Sequence, residues 1–189
     1  MKESIFSNAE KIALVVVFIT CVATVVVGLR PVDYKKDRLP TIVMRELEDA
    51  IGKITANDSL DGTLEKLYKI NSTKEFNITE DKEQSKDFGL LIEKYLADYN
   101  KPCENQRECG ACSNYQYSFL LKSGACVGIT TGKVENAPTI FPGETKPTNS
   151  TSNYGIIFYD INSINAPNQA GIDQFLVPLG AEGIEYVIE

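Results

Sequence analysis

Histidine is missing from this chain of 189 residues. Its absence removes the side chain that most often acts as a base near neutral pH and that most often binds a transition metal. Catalysis by Ser-His-Asp or Cys-His arrangements and metal sites built on histidine are therefore excluded. The loss of so many enzyme classes at once narrows the range of possible functions.

An excess of positive charge is also lacking. The chain has 19 Lys and Arg against 26 Asp and Glu, which gives a net charge of −7 at pH 7. A surface that binds a phosphate backbone needs clustered basic residues, often with aromatic side chains among them. No segment of the sequence has this pattern, so nucleic acid is not an expected partner.

A long apolar run is present near the N-terminus, from Ile12 to Leu29, and it contains no charged residue. As a helix it spans about 27 Å, which is close to the thickness of the hydrocarbon core of a bilayer. A cleaved secretory signal is the alternative, but its apolar region is usually shorter, and Cys21 and Ala23 offer only a poor cleavage site. The run therefore predicts a retained, single-pass transmembrane helix.

The charges beside this run and the cysteines that follow it indicate opposite orientations. The basic residues before the run are Lys2 and Lys11, and those shortly after it are Arg30, Lys35, Lys36 and Arg38. By the positive-inside rule, this distribution would leave the large domain in the cytoplasm. The cysteines favour an oxidising compartment instead, and we expect the C-terminal domain to be extracytoplasmic, in the periplasm or at the cell surface.

Four of the five cysteines lie close together, namely Cys103, Cys109, Cys112 and Cys126. An even set in an exported domain predicts two disulfides, and three pairings are possible. A bond from Cys103 or Cys109 to Cys126 would tie a loop to the hairpin that follows it. The spacing of Cys109 and Cys112 leaves two alternatives, a four-cysteine zinc site and a thiol redox pair.

Downstream of the apolar run, helical patterns give way to extended ones. Apolar residues at helical spacing predict an amphipathic continuation of the anchor, a short helix after Ser59, and a helix containing Phe88 to Tyr99. Strands are predicted at residues 115–121, 125–130, 154–161, 175–179 and 184–188. The sequence therefore predicts an α+β fold, with a long N-terminal transmembrane helix, short helices and a C-terminal antiparallel β-sheet.

The same patterns divide the chain into four parts. These are a cytoplasmic leader-like segment (1–11), the transmembrane helix (12–29), the amphipathic continuation (30–58) and an extracytoplasmic head domain (59–189). Within the head, residues 131–153 are rich in Pro, Thr, Asn and Gly and are predicted to form a long surface loop.

The residues Phe6-Ser7-Asn8-Ala9-Glu10 stand directly before the apolar run, and this arrangement resembles the N-terminus of type IV pilins and type II secretion pseudopilins. The resemblance implies that Phe6 is the first residue of the mature chain. It also implies that Glu10 sets the stagger between subunits by binding a neighbour's free amine. Ile5 stands where the family has Gly before the cleaved bond, and Lys11 replaces an apolar residue, so an uncleaved membrane-resident member is the alternative.

A second segment, Asp160-Ile161-Asn162 followed by residues 165–175 (NAPNQAGIDQF), resembles the C-terminal strand-loop-strand of pilin-like proteins. Its oxygen-bearing side chains suggest a Ca²⁺ site, because Ca²⁺ takes six to eight oxygen ligands. The candidate ligands are Asp160, Asn162, Asn168 and Asp173. The alternative is that these residues form Asx-turns while Gly171 supplies a positive φ.

The family resemblance implies a function for the whole chain. It predicts a non-catalytic structural or accessory subunit of a type IV pilus or type II secretion pseudopilus. The implied partners are other pilin-like subunits, the inner-membrane assembly machinery and the membrane itself. Two alternatives remain: a single-pass anchored binding module outside the cytoplasm, and a zinc or redox domain that uses Cys109 and Cys112.

Overall fold

The computed structural model describes residues 34–79 and 82–186. The chain divides into two units between Asp37 and Arg38, and every element except the start of the first helix belongs to the second unit. The helices of the described part are α1 (Tyr34–Asn57), α2 (Lys82–Tyr95), α3 (Gln106–Cys109) and a 3₁₀ helix (Gly110–Asn114).

The strands of the described part, in chain order, are β1 (Leu67–Tyr68), β2 (Glu75–Phe76), β3 (Tyr99–Pro102), β4 (Tyr117–Leu121), β5 (Cys126–Thr131), β6 (Val134–Thr139), β7 (Thr148–Ser152), β8 (Gly155–Asp160), β9 (Gln174–Gly180) and β10 (Gly183–Ile184). The main sheet has the order β10-β9-β8-β5-β4-β3, with antiparallel neighbours throughout. Two small antiparallel pairs, β1–β2 and β6–β7, lie outside it.

The two longest helices of the described part, α1 and α2, pack on one face of the main sheet. The buried side of α1 carries Val43, Leu47, Ile51 and Ile54, which recur at helical spacing and share one hydrophobic core with α2 and the sheet. The sheet residues in this core alternate along each strand, as β-structure requires. They are Phe119, Leu121, Val127, Ile129, Ile157, Tyr159, Phe175, Val177 and Leu179.

The opposite face of the sheet is covered by the cysteine-rich segment. Cys126 and Phe158 point to this side and form a second buried cluster with Cys109 and Cys112. Strand β8 is therefore buried on both faces, which explains why it reads as an almost continuous apolar run rather than as an alternating one. The fold has three layers: helices, sheet, and disulfide-bonded segment.

The α+β class, with short helices and an antiparallel sheet, is seen as predicted, but the prediction of a long N-terminal transmembrane helix is wrong for the described fold. Within residues 34–79 and 82–186, no helix is both long enough and apolar enough to cross a membrane. The longest of them, α1, is amphipathic because Arg38, Arg45 and Asp49 lie on the side facing away from the core. The apolar run 12–29, on which that prediction was based, and the residues Phe6 and Glu10 lie outside the described part.

Two local predictions are also corrected. Residues 59–66 do not form a short helix after Ser59, because the Ser59 hydroxyl accepts hydrogen bonds from the N–H groups of Asp61 and Gly62 in a turn. Gly62 has φ +81°, a conformation that ends any helix there. Residues 131–153, predicted as a surface loop, contain the hairpin β6–β7, which joins the sheet through a bridge between Ile140 and Leu176.

Other elements agree with the sequence pattern. Helix α1 lies within the segment 30–58 that was predicted as an amphipathic helix. The helix predicted over Phe88 to Tyr99 is α2, but it ends at Tyr95, and Tyr99 begins strand β3. The predicted hairpin of residues 115–130 is β4–β5, and its turn contains Gly124 with φ +92°. The last predicted strand, 184–188, is confirmed only as the short β10.

Candidate functional site

The four clustered cysteines form two disulfides. Cys103 bonds to Cys109, and Cys112 bonds to Cys126, with sequence separations of 6 and 14 residues. This is one of the three pairings that the sequence leaves open. The bond to Cys126 comes from Cys112 and not from Cys103 or Cys109, the two bonds whose effect was considered above. Cys109 and Cys112 each have a different partner, so their CxxC spacing makes neither a redox pair nor half of a zinc site.

The second disulfide fixes the 3₁₀ helix against β5. Gly128 of β5 lies directly beneath this contact, because a Cβ there would come within 2.6 Å of the Tyr115 ring and 2.9 Å of the Cys112 carbonyl oxygen. Tyr115 in turn stacks on Phe158, with ring centroids 5.0 Å apart. The cysteine-rich segment is thus held by one covalent bond, one close backbone approach and one aromatic stack.

The loop between β8 and β9 packs on this disulfide-bonded segment. The Ser163 hydroxyl donates to the Glu108 carbonyl oxygen at 3.2 Å. A Cβ on Gly110 would lie 3.0 Å from the Ser163 carbonyl oxygen, so the two backbones touch. The segment that carries the C-terminal resemblance and the segment that carries the cysteines therefore form one continuous surface.

The structure brings together the four residues considered as Ca²⁺ ligands. The Asp173 carboxylate accepts hydrogen bonds from Asn162 Nδ2 at 2.9 Å and from the backbone N–H groups of Asn168 at 2.7 Å and Gln169. The Asp160 carboxylate accepts from the Asn162 N–H at 3.0 Å and from Gln174 Nε2 at 3.0 Å. Every oxygen of both carboxylates therefore faces at least one N–H donor.

This geometry favours the turn interpretation over the Ca²⁺ interpretation. The bond from the Asn162 N–H to the Asp160 side chain two residues earlier is an Asx-turn, and Gly171 has φ +76°. The Asn168 amide fits its surroundings when its Nδ2 faces Asp160 Oδ2 at 3.2 Å, which adds another donor. A Ca²⁺ ion needs oxygens that point inward, and the described residues contain no group of three or more carboxylates or cysteines suited to a metal.

Burial makes Asp160 an unusual carboxyl group. It is fully buried at the end of β8, and this desolvation raises its pKa above the usual 3.8, although the donors from Gln174 and Asn162 act in the opposite direction. Neighbouring Asp173 adds to the rise through repulsion between the two carboxylates. Asp160, Asn162, Asn168 and Asp173 therefore hold the β8–β9 loop in place through their hydrogen bonds.

A groove lies on the other side of the molecule, between α1 and the β9–β10 hairpin. It has a volume of about 760 Å³, and three carboxylates line it: Glu48 on α1, and Glu182 and Glu185 on the hairpin. Ile51 and Tyr154 supply apolar surface. We call this feature the acidic groove, and within the described part of the chain none of its three carboxylates forms an ion pair.

Tyr186 lies beside the acidic groove, in a smaller pocket that shares Glu48 with it. Its hydroxyl donates to Glu48 Oε1, and its ring stacks on Phe141 with centroids 4.9 Å apart. Burial and this hydrogen bond raise the pKa of Tyr186 to about 12, so it remains a donor at physiological pH. The groove was not found from the sequence, because Glu48 and Tyr186 are separated by 138 residues and no local pattern joins them.

Comparison with known proteins identifies no relative of this chain. No protein-family model matches it, and neither does any curated protein or solved structure. The function therefore has to be argued from the residues and their geometry.

Proposed function

We propose that this chain is a non-catalytic structural or accessory subunit of a type IV pilus or a type II secretion pseudopilus. The apolar segment 12–29 would hold it in the membrane, with the C-terminal domain outside the cytoplasm. Its partners would be other pilin-like subunits and the inner-membrane assembly machinery.

The observation that carries this proposal is the role of the C-terminal motif. The residues that resemble the pilin-like strand-loop-strand are the ones that join β8 to β9 within the sheet: Asp160 and Asn162, then Asn168 and Asp173. Each contributes a hydrogen bond that fixes the loop. These contacts give the motif a structural role in this chain, and its resemblance to the pilin-like strand-loop-strand is the basis of the proposal.

The disulfides support the proposed location. Disulfides persist in oxidising compartments such as the periplasm and the cell surface, and are rare in the cytoplasm. This domain has two disulfides, and three of their cysteines form a buried cluster with Phe158: Cys109, Cys112 and Cys126. They outweigh the distribution of basic residues around the apolar run, which by itself favours the opposite orientation.

A second candidate is a membrane-anchored binding module, and the acidic groove is the observation that favours it. A cavity of about 760 Å³ with three unpaired carboxylates is large enough for a cationic ligand. In this case the N-terminal segment would be a simple tether, and Glu10 would have no role in assembly.

Intact-mass analysis of the membrane-extracted chain, before and after reduction and alkylation, tests the proposal. We expect a mass that begins at Phe6. Before reduction only Cys21 should be alkylated, and after reduction all five cysteines should be. A full-length chain with every thiol free would contradict the proposal, because it would place the domain in a reducing compartment.

A substitution at Glu10 separates the two candidates. Glu10→Gln should abolish multi-copy species in the membrane fraction, whereas the matched Glu3→Gln, which precedes the proposed cleavage point, should leave them intact. Formation of the same multi-copy species by both variants would contradict a filament role for Glu10. An oxidised chain that forms no such species at all would favour the binding module.

A further inference from the structure

Two arginines on α1 face solvent without an ionic partner. Arg38 and Arg45 are both exposed, and among the described residues neither takes part in an ion pair. Ile42 lies between them on the same side of the helix, four residues from one and three from the other, and is 46% exposed. We call Arg38, Ile42 and Arg45 the basic stripe.

The basic stripe and the acidic groove are complementary. One carries two arginines outside any described ion pair around an apolar side chain. The other carries three carboxylates outside any described ion pair around Ile51 and Tyr154, and one of them, Glu48, accepts a hydrogen bond from Tyr186. An exposed isoleucine flanked by charges of one sign fits a partly apolar groove flanked by charges of the other sign. Both surfaces belong to the same chain, so a second copy provides the partner that each one lacks.

Within one copy the two surfaces lie side by side on α1, where Arg45 lines a small pocket together with Glu48 and Tyr186. From Ile42 to Glu48 is six residues along α1, which corresponds to about 9 Å of axial rise and to about a third of a turn around the helix. A copy bound through its stripe therefore still offers its own groove to another copy. Repeated from copy to copy, such a head-to-tail contact builds a helical filament when its rotation does not close a ring.

We propose that the basic stripe of one copy docks in the acidic groove of the next. This inference rests on the proposed function, since it describes how the domains of neighbouring subunits meet outside the membrane. It also explains how copies with a net charge of −7 can associate, because opposite charges at the contact offset the general repulsion.

Site-specific photo-crosslinking in the full-length chain tests the contact. Cells carry two tagged versions of the chain, and only one has a photoreactive phenylalanine analogue at position 42. We expect a cross-link between the two tags that maps to residues 180–186 of the second copy. The matched control places the probe at position 164, where Ile164 is 57% exposed and lies in the β8–β9 loop against Gly110 of the disulfide-bonded segment.

Charge reversal then tests whether complementarity drives the contact. Glu182→Arg with Glu185→Arg should lower the yield of the position-42 cross-link about tenfold, and Arg38→Glu with Arg45→Glu should do the same. Combining all four changes should restore the yield. Because Arg45 lies near Tyr186 in its own copy, Arg38→Glu alone serves as a second, milder variant. Melting temperature and thiol content verify that each variant is folded.

The outcomes distinguish this inference from the proposed function. Multi-copy species that persist in every variant, with the cross-link mapping elsewhere, would overturn the docking contact and leave the pilin-like function standing. A cross-link from position 42 to a different protein would overturn it in favour of another partner. If the unmodified chain forms no multi-copy species, both proposals fail together.

Discussion

The side chain of Asp173 shows how one residue can hold a loop. It is 2% exposed, and its carboxylate accepts hydrogen bonds from the side chain of Asn162 and the backbone N–H groups of Asn168 and Gln169. A buried carboxylate is costly unless its oxygens are hydrogen-bonded, and here both are. Three donors converge on Asp173, so an acceptor-only side chain is required.

Asp173→Asn should therefore destabilise the domain by about 2 kcal/mol. The amide has the same shape, but its NH₂ group would face N–H donors and leave at least one of them unsatisfied. Thermal unfolding of the full-length chain in detergent measures the effect. Asp49→Asn is the matched control, since Asp49 is 65% exposed and pairs only with Lys53 on the surface of α1. Equal melting temperatures for the two variants would show that the hydrogen bonds to Asp173 do not stabilise the domain.

Glu93 on α2 is half-buried and accepts a hydrogen bond from the Tyr117 hydroxyl at 2.6 Å. Desolvation raises the pKa of Glu93 above the usual 4.5, although hydrogen bonds from Tyr117 and Tyr99 partly oppose this. Tyr99 is affected in turn, since burial and the neighbouring Glu93 raise its pKa to about 12. The folded state therefore favours the protonated form of Glu93 more than the unfolded state does.

The raised pKa of Glu93 predicts in which direction the stability of the folded domain changes with pH. The stabilising contribution of Glu93 is complete below pH 4.5 and is lost as the pH rises through its raised pKa in the folded state. Glu93→Gln does not titrate, so its melting temperature should fall less than that of the original chain over this window. The exposed Glu65→Gln is the control and should keep the original profile. A Glu93→Gln profile parallel to the original would contradict this account.

At the scale of single elements, two glycines in helices provide a matched comparison. A Cβ on Gly89 of α2 would overlap the Tyr117 ring, while a Cβ on Gly52 of α1 would meet nothing within 4 Å. Alanine is the better helix former by about 1 kcal/mol at both positions. The two substitutions therefore share the same helix propensity and differ only in packing.

Gly52→Ala should stabilise the domain by about 0.5–1 kcal/mol, as expected for an exposed helix position. Gly89→Ala should destabilise it by about 1–3 kcal/mol, because the Tyr117 ring must move and lose its bond to Glu93. Melting curves of the two variants measure both changes. Stabilisation by Gly89→Ala would mean that α2 does not lie against Tyr117.

The elements that the sequence predicts correctly have a clear local pattern, either apolar residues at a regular spacing or two apolar strands around a turn. Helix α2 repeats buried residues at Phe88, Leu91 and Ile92, and hairpin β4–β5 has a glycine turn between two apolar strands. Hairpin β6–β7 was missed because its exposed, Thr- and Asn-rich strands are stabilised by contacts with β9 far along the chain, such as that of Ser152 with Leu179. Tertiary contacts override local propensity there.

The site was predictable only where neighbours in sequence are also neighbours in space. Asp160, Asn162, Asn168 and Asp173 were selected together because they lie on one loop, and the structure joins them by hydrogen bonds. The disulfide pairing was not predictable, since all three pairings of clustered cysteines are compatible with their spacing. The acidic groove needs the packing of α1 on the β9–β10 hairpin, which no local pattern encodes.

At the scale of the whole molecule, the two disulfides differ in accessibility. Cys103 is partly exposed, whereas Cys109, Cys112 and Cys126 are fully buried. In the chain-entropy picture, a loop of 6 residues contributes about 2 kcal/mol and one of 14 residues about 3 kcal/mol. The more buried bond is thus also the one that restrains the unfolded chain more.

Mild reduction of the folded chain should therefore open Cys103–Cys109 first. The exchanging thiolate must reach a sulfur atom, and only Cys103 offers one near the surface. Differential alkylation followed by peptide mapping should show labels at Cys103 and Cys109 while Cys112 and Cys126 stay protected. Adding denaturant should expose all four together. Simultaneous labelling without denaturant would show that the sheet face beneath the 3₁₀ helix opens readily.

Under the proposed extracytoplasmic location, the contact between α1 and the β9–β10 hairpin has a consequence for the timing of export. The Leu64 N–H donates to the Ala181 carbonyl oxygen at 2.7 Å, and Tyr186 binds Glu48, so early and late parts of the chain depend on each other. In a polypeptide delivered across the membrane N-terminus first, α1 emerges long before its partner strands. Its apolar side stays exposed until residues 174–186 have also crossed the membrane. During that interval the nascent domain needs protection from aggregation and proteolysis.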